Sequence, residues 1–127
     1  MTKIHIETGR PKHSKTGNFQ HYREVADVVS KWCASFFYLK DVKEITLHLH
    51  NDKNVDCWGE CDGGDDSGIY DVSVYVGQNL RDFVATIVHE FVHIKQWESG
   101  SWDGDGEAEA NYLQYAVTDR MWKLGVL

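Results

Sequence analysis

Ile4 and Ile6 alternate with Lys3, His5 and Glu7, and this two-residue period predicts a short strand at the start of the chain. Gly9 to Asn18 breaks every period, holds the only proline and two glycines, and reads as a loop. From His21 to Leu39 the apolar positions Tyr22, Val25, Val28, Val29, Trp32, Cys33, Phe36 and Phe37 recur at three- and four-residue steps, which predicts a helix burying one wide face. Two strands follow. Glu44–His50 sends Ile45, Leu47 and Leu49 to one side and Thr46, His48 and His50 to the other, and Ile69–Val76 is a β-branched, aromatic, alternating run. Between them residues 51–68 keep no period and read as an acidic loop or a distorted hairpin.

Asn79 is placed to cap a helix with Asp82 in its first turn. Leu80, Phe83, Val84, Ile87, Val88, Phe91, Val92 and Ile94 then cover most of the cylinder, so this helix, ending near Glu98, should be central and buried. Ser99–Gly106 is a turn-rich connector, and Glu107–Leu124 forms a last helix with Ala110, Leu113, Val117 and Leu124 inward. The order of elements predicts an α+β fold, an N-terminal helix packed on a small twisted sheet and followed by two further helices. A length of 127 residues suits a single domain, with residues 1–20 as a short strand and a basic loop.

Composition narrows the classes of partner. The net charge is −7, and residues 1–23 carry five Lys/Arg against one Glu, which leaves −11 for the remainder. That balance argues against nucleic acid or an anionic membrane as the main partner, since both are held by concentrated Lys and Arg. No apolar run approaches the ~18–20 residues of a membrane span, and the N-terminus lacks the apolar core of a signal peptide. An intracellular, cytoplasmic protein is expected. The three cysteines, Cys33, Cys57 and Cys61, fit a reducing compartment better than a disulfide scaffold.

Chemistry enters with His89-Glu90-Phe91-Val92-His93, the His-Glu-x-x-His zinc signature, set in the buried helix. Four residues make about one helical turn, so both imidazoles share a face and can grip one ion while Glu90 stands beside them as a general base. Asp82, Thr86, His89, His93 and Gln96 form one polar stripe on an otherwise apolar helix, and such a stripe needs a partner for every donor and acceptor. The plainer reading has two core histidines bonded to backbone carbonyls and Glu90 at the surface. Two imidazoles with a carboxylate suit Zn2+ better than calcium or magnesium, which prefer oxygen alone. For the third ligand the concentrated candidates are Glu107 and Glu109. They lie about 200° apart around a helix, so only one can face the ion.

These residues resemble the gluzincin group of zinc metallopeptidases, in which the His-Glu-x-x-His helix is followed by a glutamate helix of pattern Glu-x-x-Ala-(Asp/Asn), here Glu107-Ala108-Glu109-Ala110-Asn111. The resemblance covers roughly residues 21–124 and implies a zincin-like fold and a zinc-dependent endopeptidase acting on a peptide or protein. By that match Glu107 is the third ligand, with Glu109 the alternative because the connector is short, and Asn111 orients a zinc-bound histidine. The resemblance also implies a substrate-binding edge strand along the cleft, for which Tyr70–Val76 with Ser73, Val74 and Tyr75 is the candidate. Tyr112, Tyr115, Arg120 and His48 are candidates for stabilising an oxyanion. A catalytically silent zinc-binding protein is the competing function, against which the intact Glu90 speaks.

Weaker signals remain. Cys57-Trp-Gly-Glu-Cys61 reads as two cysteines facing across a tight turn rather than as a second metal site, and Asp62-Gly-Gly-Asp65-Asp66 as a solvated acidic turn. Residues 51–71 carry seven acids and one Lys, and residues 98–109 five acids and no base, which points to basic peptide substrates.

Overall fold

The computed structural model describes residues 2–8, 17–52, 54, 56–63 and 67–127. Most of the predicted loop at Gly9–Asn18 and the centre of the acidic turn lie outside them. The elements run β1 (Lys3–Thr8), α1 (Gly17–Phe36), β2 (Glu44–His50), β3 (Gly59–Asp62), β4 (Ile69–Tyr75), α2 (Leu80–Ser99) and α3 (Glu107–Lys123). The class is α+β, a four-stranded mixed sheet with three helices. No helix among the described residues is long and apolar enough to cross a membrane.

Sheet order is β1-β2-β4-β3. β1 and β2 are parallel, with Ile4 opposite Ile45 and Ile6 opposite Leu47, because α1 carries the chain back across the sheet between them. β2 and β4 are parallel, with Leu47 opposite Val72, and β3 runs antiparallel to β4. Within residues 51–68, expected to be an acidic loop or a distorted hairpin, lies one strand, β3, which pairs with β4 beyond that range and takes the edge position. β4 therefore has no free edge: Ser73 is paired with both His48 and Glu60, and Val74 with both Leu49 and Gly59, while the Tyr75 amide donates to the Trp58 carbonyl. The expected edge strand of Ser73, Val74 and Tyr75 is replaced in that position by β3.

Period-two alternation separates the two faces of the sheet. Ile45, Leu47, Leu49, Tyr70, Val72 and Val74 are buried against the helices. On the opposite face His48 lies between Glu7 and Asp71, its Nδ1 3.2 Å from the Glu7 Oε2 and its Nε2 2.8 Å from the Asp71 Oδ1. α2 touches α1, α3, β3 and β4, which explains why its sequence is apolar nearly all round. Asn79 caps it, its side chain accepting from the Asp82 amide at 2.9 Å, and Gly100 ends it in the left-handed conformation. α1 ends in a Schellman motif: the Leu39 amide donates to the Ala34 carbonyl and the Tyr38 amide to the Ser35 carbonyl, with Tyr38 at φ 57°. α3 covers α2 with Ala110, Val117 and Met121, whereas Leu124, expected inward, is exposed beyond the end of the helix.

Candidate metal centre

One turn of α2 separates His89 from His93, and their rings meet edge to face with centroids 4.9 Å apart. The connector folds α3 back so that its first residue reaches both: the His89 Nε2 is 2.9 Å from the Glu107 Oε2 and the His93 Nε2 is 3.1 Å from the Glu107 Oε1. His89, His93 and Glu107 are the group of three potential ligands that converges among the described residues, with ligand atoms within 4.8 Å of one another. Glu109 points elsewhere. Its carboxylate accepts from the Gln96 Nε2 at 2.9 Å and lies 3.7 Å from the Lys95 ammonium.

Both imidazoles are held from behind by glutamines. The His89 Nδ1 is 2.8 Å from the Gln114 Oε1, and the His93 Nδ1 is 2.9 Å from the Gln96 Oε1. Asn111, expected in this role, is exposed and makes no hydrogen bond to either ring. Its position on α3 faces away from α2, and Gln114, three residues on, faces His89 instead. Nor do backbone carbonyls hold the rings, as the plainer reading required. Gln96 stood in the polar stripe of the sequence, three residues after His93 and hence on its face of the helix; Gln114 carried no such signal.

The donor set fits a cation. The Gln96 amide cannot be turned over, because its Nε2 donates to the Gly106 carbonyl at 3.0 Å and to Glu109, so its Oε1 must accept from the His93 Nδ1. With Nδ1 as the donor to Gln96, the His93 Nε2 is the ring atom turned toward a carboxylate oxygen and is available as a ligand. At 3.1 Å that pair needs a proton or a metal ion between nitrogen and oxygen. One cation shared by His89, His93 and Glu107 would meet that need.

Glu90 is 5% exposed, not the surface residue of the plainer reading, and no hydrogen bond or ion pair engages it among the described residues. Burial pushes its carboxyl above the usual range; His89 and His93 pull it down, and Glu107 and Glu60 push it up. β3 comes very close here. A Cβ on Gly59 would lie 2.5 Å from the Thr86 Cγ2 and 3.1 Å from the Glu90 Oε2, so only glycine lets the strand pass. A cleft of about 460 Å3 opens over Glu90 between β3 and the connector, lined by Trp97, Trp102, Asp105 and Glu107 among others. A second of about 350 Å3 continues past Trp58, His89 and Tyr115. No Lys or Arg lines either hollow among the described residues.

The four oxyanion candidates separate. Tyr115 lines the cleft and donates its hydroxyl to the Asp82 Oδ1 at 2.7 Å, which keeps its proton on and raises its pKa. Tyr112 and Arg120 are exposed and outside the cleft, and His48 is on the far face of the sheet. Cys57 and Cys61 are free thiols, Cys57 in the bend before β3 and Cys61 within the strand.

No protein-family model, curated protein or solved structure matches this chain.

Proposed function

We propose that this chain is a zinc-dependent endopeptidase. The observation that carries the reading is Glu90, a buried carboxylate without a protein partner that opens on a cleft beside the convergent His89, His93 and Glu107. A protein that only bound metal would gain nothing from a desolvated, unpartnered acid at that point. His89, His93 and Glu107 are the residues that would hold the ion, and zinc supplies Lewis acidity and an acidified water when bound. Glu90 then acts as general base and acid, taking a proton from the attacking water and delivering it to the leaving amine. Tyr115 supports the reading as a hydroxyl in the cleft able to turn from Asp82 toward a developing oxyanion.

An extended peptide would add to the free edge of β3, whose glycine brings the backbone up to Glu90. Glu60 and Asp105 in the cleft wall, with no lysine or arginine opposing them among the described residues, support a preference for basic peptides. The test is digestion of a peptide mixture by zinc-loaded protein and by Glu90→Gln, with zinc content measured for both. The reading expects about one zinc per chain in each and cleavage by the parent alone. Zinc retained with no cleavage by either protein would indicate a silent binding module, and no zinc in either would remove the metal centre.

A further inference from the structure

We propose that Gln96 is the positioning residue for two of the three ligands, His93 and Glu107, and thereby sets the affinity of the centre for zinc; the inference rests on the metal-site reading above. Gln96 is 2% exposed, and its amide is used at both ends. Its Oε1 accepts from the His93 Nδ1 at 2.9 Å, which leaves Nε2 free to ligate and fixes the plane of the ring. Its Nε2 donates to the Gly106 carbonyl at 3.0 Å and to the Glu109 Oε1 at 2.9 Å. Gly106 immediately precedes Glu107, so this grip holds the start of α3 where Glu107 meets both rings.

Three details agree with a built bridge rather than a chance contact. Gly106 has φ 81°, and a Cβ there would lie 2.3 Å from the Gln96 Oε1, so the amide occupies the space that any side chain would fill. The Gly106 carbonyl, which accepts from the Ala110 amide at 3.2 Å in the first turn of α3, also accepts from Gln96, so the amide is tied to the helix at its first turn. Glu109, the rival ligand, is held away from the rings by the same Nε2. Gln114 does the corresponding work for His89 alone. A single amide therefore decides where one imidazole points and which of two glutamates reaches the ion.

The experiment compares zinc affinity of the full chain, by competition with a chromophoric chelator, together with the visible spectrum of the Co2+ form and the melting temperature of the metal-free form. Gln96→Glu keeps an acceptor for His93, loses both donor bonds and sets a carboxylate against Glu109. Affinity should fall ~10–100-fold, with a changed Co2+ spectrum. Adding Glu109→Gln replaces the clash of two carboxylates with a hydrogen bond and should recover part of the affinity, the lost bond to the Gly106 carbonyl keeping it below the parent, while Glu109→Gln alone should stay near the parent. Gly106→Ala reaches the same bridge without touching Gln96 and should weaken zinc binding comparably.

Parent-like affinity in folded Gln96→Glu would overturn the proposal, as would a double variant no tighter than the single one. A lowered melting temperature at unchanged affinity would show a merely structural role and overturn it too. If Glu109→Gln alone abolishes zinc binding, Glu109 is the ligand and the bridge is wrong while the metal centre stands. If the parent takes up no zinc, the metal centre itself fails.

Discussion

Charge on Glu90 costs stability, because burial and the neighbouring Glu107 and Glu60 carboxylates disfavour it even though the side chain reaches the cleft. Glu90→Gln should therefore raise the stability of the chelator-treated protein at neutral pH by about 1 kcal/mol, read as a higher melting temperature. A lower melting temperature would mean that the carboxylate has a structural duty. The cysteines differ just as sharply. Cys33 is fully buried and burial drives its thiol pKa up; Cys61 is half-buried and raised by burial and by Glu90; Cys57 is exposed. A maleimide applied to the native protein should label Cys57 first and leave Cys33 untouched until unfolding, as peptide mapping would show. The His-Glu-x-x-His pair was legible because one turn of helix places those residues whatever surrounds them. Gln114 was not, since its role exists only once α3 lies against α2.

Helices and strands obeyed different rules. α2 could be read as central because an apolar circumference has no other stable location. β4 was equally legible as a strand, but alternation describes faces and is silent about edges, so its burial between β2 and β3 could not be foreseen. β3 escaped notice because Gly-Glu-Cys-Asp has little intrinsic strand preference and is extended only by pairing with β4. At the end of α1 the sequence places a tyrosine where glycine is favoured. Tyr38 holds φ 57° and is 74% exposed, so Tyr38→Gly should lose little packing and stabilise the fold by roughly 0.5–1 kcal/mol. Urea titration measures this, and destabilisation would show that the contact of the Lys40 ammonium with the Tyr38 ring, 5.5 Å from its centroid, outweighs the strained backbone.

Across the whole molecule the labour is divided. α2 and the start of α3 supply the candidate ligands, and β3 supplies the rim against Glu90. Zinc joining His89 and His93 to Glu107 would tie the two helices together. Saturation at a thousand times the dissociation constant should then stabilise the chain by about 4 kcal/mol. The melting temperature should rise accordingly, and amide exchange should slow most in the first turn of α3. Equal slowing throughout the sheet would point instead to a global effect of ionic conditions.

The free side of β3 has a bearing on solution behaviour. An unpaired strand is a template for any other strand, including the same strand of another copy of the chain. Glu60 and Asp62 alternate with Gly59 and Cys61 along this edge and are both exposed. Two such edges brought together would oppose carboxylate to carboxylate, so the protein should stay monodisperse at low ionic strength and begin to self-associate as salt screens the repulsion, a change visible by light scattering. If an extended peptide does add here, the acidity of this edge would act as a filter, turning away its own kind while leaving the backbone open to a strand of opposite charge.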